Sequence, residues 1–178
     1  MTWAAIILVI VTLQRLGELA LSRRNTSRLL ARGAIEVGAG HYPLLVVLHA
    51  AWLLALWIFG WDHQVNWLLL GAFAVLQGLR LWVLASLGSR WTTRIIVLPG
   101  APLVTSGPYR YVSHPNYVIV AGEIALLPLA LNLPWLALLF SLLIGIALVV
   151  RIRTEARALA DFNGPLNRHL NGHLARAP

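Results

Sequence analysis

Cysteine and lysine are both absent from this 178-residue chain, and acidic residues number only six. Without a thiol there is no disulfide framework, no thiolate nucleophile and no Cys-ligated zinc or iron–sulfur site. Charge is scarce altogether: 11% of residues are charged, against roughly a quarter in a soluble domain. Hydrophobic residues make up 59%, and eight residues are Trp, a composition that excludes a disordered chain. The formal charge of +8 would suit a soluble nucleic-acid binder, but the apolar excess would not. An integral membrane protein remains.

A spanning helix needs about 20 mostly apolar residues, with about 17 as a working minimum. The candidate stretches are 3–21, 42–59, 65–87, 115–131 and 135–150. The last two are short and separated only by Asn132-Leu133-Pro134, so a helical hairpin that barely crosses is expected there. The fold class expected is therefore all-α integral membrane, with about five transmembrane helices in a single polytopic domain over residues 1–178. The N-terminus lacks a basic leader region and a clear cleavage site, so its apolar run reads as a retained span. No internal repeat or low-complexity tract stands out, and no metal site is expected.

All fourteen basic residues are Arg, and they are sorted. Arg23, Arg24, Arg28 and Arg32 lie between spans one and two; Arg90, Arg94 and Arg110 lie between spans three and four. Arg151, Arg153, Arg157, Arg168 and Arg176 follow span five. The 60–64 connection and the 132–134 turn carry none. With five spans, every Arg-bearing segment falls on one side, and the positive-inside rule makes that side cytoplasmic. The expectation is a chain with its N-terminus outside and its C-terminus cytoplasmic, so that a site built from the Arg-bearing segments would face the cytoplasm.

Arg15 and Arg80 fall inside spans, about 9 and about 10 Å from the cytoplasmic ends at 1.5 Å per residue. Glu18 shares a helix face with Arg15, and Glu123 lies at similar depth in span four. Intramembrane charges usually face a bundle interior or a wet cavity, although Arg can also snorkel to the interface. Glu cannot reach as far, so Glu123 is the better sign of a polar pocket. His49 in span two either joins that pocket or packs against its neighbours.

Residues 88–117 resist helix formation, with breaks at Pro99-Gly100, Pro102 and Gly107-Pro108 and a strand-like stretch over 92–98. A loop this long in a small chain is usually functional or disordered, and its aromatic and apolar content argues for packing against the bundle mouth. Pro115 suits the first turn of a helix. Span four should then begin at 114–116, presenting free N–H groups that favour a carboxylate or phosphate. Tyr109, Tyr111 and Tyr117 surround that terminus, as an adenine or sulfonium site would require, or as an interfacial aromatic belt. Past span five, Arg151 and Glu155 share a helix face. They suit recognition of an anionic acceptor and of a ribose or amine, or a simple i,i+4 ion pair at the interface.

The run Leu103-Val-Thr-Ser-Gly-Pro-Tyr-Arg-Tyr-Val-Ser-His-Pro-Asn-Tyr117, with Arg151-x-x-x-Glu155 after span five, resembles the isoprenylcysteine carboxyl methyltransferase family. Related phospholipid methyltransferases share the pattern. The best-matched region is about 101–160. Outside it, Arg32-Gly-Ala-Ile-Glu36, His41-Tyr-Pro43, His49 and Leu87-Gly-x-Arg-Trp-Thr-Thr93 look like a small bacterial branch associated with alkylpyrone and alkylresorcinol methylation. Ser113 and Ala156 depart from the pattern, where relatives commonly place Arg and a second acidic residue.

The resemblance implies a polytopic membrane enzyme that uses S-adenosylmethionine. By it, Leu103, Val104, Tyr109, His114, Pro115, Asn116, Tyr117 and Glu155 would line the cofactor site, in the 88–117 loop and the C-terminal segment 151–178. Arg151 would orient a lipophilic or lipid-modified acceptor entering from the bilayer. The expected reaction is O-methylation of a carboxylate or an acidic enol or phenol. A neutral phenol or an amine would need a base, for which Glu123 and His114 are the candidates. The roles of Glu36, His41 and His49 stay open between acceptor pocket and packing. Competing expectations are an NADPH-dependent lipid or sterol reductase, N-methylation of a phospholipid headgroup, and a non-catalytic subunit. No nucleic-acid partner is expected.

Overall fold

The computed structural model describes residues 2–102 and 104–174, with side chains described as far as Arg157, those of His41 and Ala156 excepted. Five helices follow one another: α1 (Trp3–Leu30), α2 (Tyr42–Gly60), α3 (Trp67–Leu87), α4 (Pro115–Ala130) and α5 (Pro134–Leu174). Four are long and apolar enough to cross a membrane, while α4, with 16 residues, is shorter. Local chemistry sets the starts. Asn66 Oδ1 accepts from the Leu69 N–H at 3.2 Å, and Thr2 Oγ1 accepts from that of Ala5 at 3.1 Å, each satisfying a donor the helix leaves free. Proline opens α4 and α5, where its missing N–H costs nothing.

The Arg-free end is stitched together by backbone and rings. The Asn66 N–H donates to the Ala130 carbonyl at 2.8 Å, and Asn132 Nδ2 to that of Gln64 at 2.8 Å. Trp3 meets Trp67 edge-on at 5.8 Å, and Phe59 meets Trp135 at 5.2 Å. Inside, Leu8, Trp52, Leu56, Ile124, Leu127, Leu136 and Ile144 form the core. Outward faces carry exposed Leu13, Leu68, Leu81, Leu138 and Ile146, as a lipid-facing surface requires. Helices α3 and α4 pack tightly at Gly122, where a Cβ would stand 2.7 Å from Leu76 Cδ1.

At the opposite end α1 runs on to Leu30, past the span expected for it. This extension buries Ser22, Asn25 and Thr26, and two of them hold the segment after α3. Ser22 Oγ accepts from the Thr93 N–H at 2.8 Å, and Asn25 Nδ2 donates to the Trp91 carbonyl at 2.8 Å. The strand-like stretch is β2 (Ile95–Val97), and its partner is β1 (Ile35–Val37), antiparallel, with Glu36 opposite Ile96. This ribbon adds to the all-α expectation. Arg94 Nη1 ties it, 2.8 Å from Glu36 Oε2, with the guanidinium 4.8 Å above the Tyr42 ring.

Candidate active site

Three residues from two helices meet at the Arg-rich end. His114 caps α4 with backbone alone, Pro115 takes the first helical position, and Tyr117 follows in the first turn. Tyr117 Oη donates to Glu155 Oε2 at 2.6 Å and accepts from Arg151 Nε at 2.9 Å. The His114 ring stacks on Tyr117, centroids 5.5 Å apart, with Nδ1 3.6 Å from Glu155 Oε2. Burial pushes the Tyr109 phenol up to about 12, the Glu155 charge adding to it, so it stays a neutral hydrogen-bonding group. Arg151 is 7% exposed; among the described residues it has no carboxylate partner.

Two cavities adjoin this cluster. One, of about 460 Å³, is walled by Val104, Tyr109, His114, Glu155 and the β2 segment. The other, of about 270 Å³, lies between the apolar faces of α1 and α2, with Leu16, Leu19, Leu45 and Val46 among its walls. Trp91, Asn116, Tyr117 and Arg151 line both. They form a partition between the larger chamber, the more polar of the two, and the smaller, more apolar one. Asn116 Oδ1 and Trp91 Nε1 are buried without a hydrogen-bond partner, and such atoms in a folded protein call for one.

Arg15, Glu18 and Arg80, on the wall of the smaller cavity, belong with Glu123 to a closed network of charge. Arg80 donates from Nε and Nη2 to the two oxygens of Glu18 and from Nη1 to Glu123 Oε2 at 2.7 Å. Arg15 Nη1 donates to Glu18 Oε2 at 3.0 Å. Its Nη2 stands 2.9 Å from Glu123 Oε2, off the hydrogen-bonding line, so that contact is an ion pair alone. Gln77 Nε2 donates to Glu123 Oε1 at 2.8 Å, and Gln14 Nε2 to Glu18 Oε1 at 2.9 Å. Two cations and two anions therefore cancel inside the bundle, which the cost of isolated intramembrane charge demands.

The residues singled out by sequence distribute unevenly over this geometry. Val104, Tyr109, His114, Asn116, Tyr117, Arg151 and Glu155 all border the polar cavity, with Pro115 buried behind them. Leu103 lies outside the described residues. Glu123 is 2% exposed, lines neither cavity and is taken up by Arg15, Arg80 and Gln77. Glu36 pairs with Arg94 in the ribbon. His49 lines the apolar cavity; the His41 side chain is outside the described set. Sequence reasoning missed Trp91 as a wall, and Ser22 and Asn25 as its supports. Their signal was the polar run Ser22–Arg28 in the last turns of a mostly apolar helix.

A bundle with intramembrane charge, a polar chamber at its mouth and an apolar one beside it has the architecture of a polytopic membrane enzyme. The chain belongs to the isoprenylcysteine carboxyl methyltransferase family, a family of membrane methyltransferases, whose sequence profile matches residues 67–161. That span includes α3, the partition and both halves of the Tyr117 cluster. An uncharacterized Bacillus subtilis protein, YpbQ, is 39% identical over 168 residues, covering 92% of this chain and 99% of its own. An uncharacterized protein of Haemophilus influenzae is 30% identical over 155 residues, 82% of this chain and 88% of its own. No solved structure matches the chain.

Proposed function

We propose that this protein transfers a methyl group from S-adenosylmethionine to an oxygen of a lipophilic acceptor, a carboxylate or an acidic enol or phenol. The observation that carries the reading is the shared partition: Trp91, Asn116, Tyr117 and Arg151 separate a polar chamber from an apolar one. A charged, water-soluble donor suits the first chamber and a lipid-like acceptor suits the second. Leu16 and Val46 border the apolar cavity while exposed on the outer surface, which supports entry from the bilayer between α1 and α2. The Arg-bearing loops support a cytoplasmic position for the polar chamber.

The residues present fit the cofactor. Asn116 Oδ1 is a buried acceptor in need of a donor, Glu155 offers a carboxylate for hydroxyls or an amine, and the Tyr109, His114 and Tyr117 rings border the same 460 Å³ chamber. When bound, the cofactor supplies a methyl group activated on a sulfonium. Arg151, with no carboxylate partner among the described residues, orients the acceptor's anionic oxygen. Tyr117 fixes that guanidinium through Nε, and the apolar walls exclude water, so alignment and desolvation are what the chain contributes. An unpaired buried cation also disfavours an amine headgroup as acceptor.

The test uses the detergent-purified protein. Titration with S-adenosylmethionine and with NADPH should show binding of the former only. Membranes incubated with methyl-labelled cofactor should yield a labelled species in the lipid extract by mass spectrometry. NADPH binding without S-adenosylmethionine binding would sink the reading.

A further inference from the structure

His49 sits in α2 and lines the apolar cavity. Its Nδ1 is 2.8 Å from the Leu45 carbonyl, one turn back. A carbonyl only accepts, so Nδ1 carries the proton and Nε2 keeps its lone pair. Among the described residues Nε2 has no hydrogen-bond partner.

The other polar groups on this cavity are excluded as bases one by one. Both Glu18 oxygens accept from Arg80. The Tyr42 and Thr93 hydroxyls bond to each other at 3.0 Å, and the Tyr117 hydroxyl is taken by Arg151 and Glu155. Arg15, Arg80 and Arg151 have no lone pair to offer, and the Asn116 amide is not basic. Glu123 is absent from the cavity wall, and His114 faces the other chamber. Among the described residues, His49 Nε2 is the one free basic lone pair on the acceptor's side of the partition.

Resting on the methyltransferase reading, we propose that His49 is the general base and that the acceptor is therefore a protonated hydroxyl, a phenol or an enol, rather than a carboxylate. The acceptor O–H proton passes to Nε2. The freed oxygen pair forms the new O–CH3 bond, and the methyl–sulfur bond of S-adenosylmethionine breaks with its electrons left on sulfur, giving the neutral thioether. The imidazolium then returns its proton to water as product leaves. The charged groups around His49 act in the same sense. From α1 and α3, Arg15 and Arg80 are balanced by Glu18 and Glu123. From α5, Arg151 meets Glu155 only through the Tyr117 hydroxyl, so its charge opposes an imidazolium at rest while favouring the nascent oxyanion.

The experiment compares 3-pentadecylphenol with palmitate as acceptors for the detergent-purified protein, wild type and His49→Gln. The expected result is phenol methylation that falls by about 10²–10⁴-fold in His49→Gln, with the affinity for S-adenosylmethionine unchanged. Wild-type turnover should decline at acid pH, where the imidazole holds a second proton and cannot act as a base, and this limb should vanish in the variant. Added imidazole should restore part of the rate to His49→Ala. Retained phenol turnover in His49→Gln, an unchanged acid limb, or methylation of palmitate but not of the phenol would each overturn the proposal. A wild-type protein that fails to bind S-adenosylmethionine would instead sink the underlying methyltransferase reading, and the base assignment with it.

Discussion

Arg151 and Glu155, one turn apart on α5, do not pair with each other; both bond to the Tyr117 hydroxyl of α4, at 2.9 and 2.6 Å. Two side chains spaced for an i,i+4 ion pair are instead held apart by a phenol. The guanidinium keeps its other nitrogens for an anion, and the second carboxylate oxygen stays available to a donor. From one helix face Arg151 borders both chambers and Glu155 the larger one.

Removing the phenol oxygen should let the pair collapse. Tyr117→Phe keeps the ring, its stacking on His114 and the cavity wall. Hydrogen bonds to charged groups contribute about 1.5–3 kcal/mol each, so methylation should fall about 10–100-fold. Steady-state assays on the labelled lipid product would measure this.

Glu155→Ala should abolish binding of S-adenosylmethionine, and Glu155→Gln should weaken it about tenfold or more, the cost of one charged hydrogen bond. Near-normal affinity in a calorimetric titration of either variant would remove Glu155 from the cofactor site.

Arg151→Lys preserves charge but loses the planar fork and the Nε bond to Tyr117. The KM for the acceptor should rise about tenfold or more, while the dissociation constant of S-adenosylmethionine changes little. A weaker affinity for S-adenosylmethionine with an unchanged acceptor KM would place Arg151 on the cofactor side alone.

The buried network and the ribbon ion pair should respond very unequally to truncation. Arg80→Met leaves Glu18 and Glu123 with a single cation, and breaking a buried pair costs about 3–5 kcal/mol. Arg94, 43% exposed, pairs with Glu36 at the surface, where a salt bridge contributes about 1 kcal/mol or less. Thermal unfolding in detergent should therefore drop sharply for Arg80→Met and barely for Arg94→Ala.

Helix boundaries were readable because apolar runs and proline starts are local signals. The spans expected at 42–59 and 65–87 differ from α2 and α3 by at most two residues at either end. Partners were not readable. Arg15, Glu18, Arg80 and Glu123 announce themselves as charges in apolar helices, yet that Arg80 bonds to both Glu residues depends on helix packing. Gln14 and Gln77, which close the network, carry no charge and drew no notice. The β1 strand is three residues long, and its pairing bridges sixty positions to β2, beyond any periodicity signal. Trp91 looked like a loop aromatic; its role as a wall follows from Ser22 and Asn25 fixing the segment beneath it.

The four-charge network also bears on how the chain enters a bilayer as it is synthesised. Helix α1 emerges first and carries Arg15 and Glu18 three residues apart, already mutually neutralising. Helix α3 brings the lone cation Arg80, which finds Glu18 in place. Helix α4 then brings the lone anion Glu123, closing the set against both Arg residues. Synthesis order and neutralisation order coincide, so only α3 and α4, in turn, need shelter from lipid before their partners are reached.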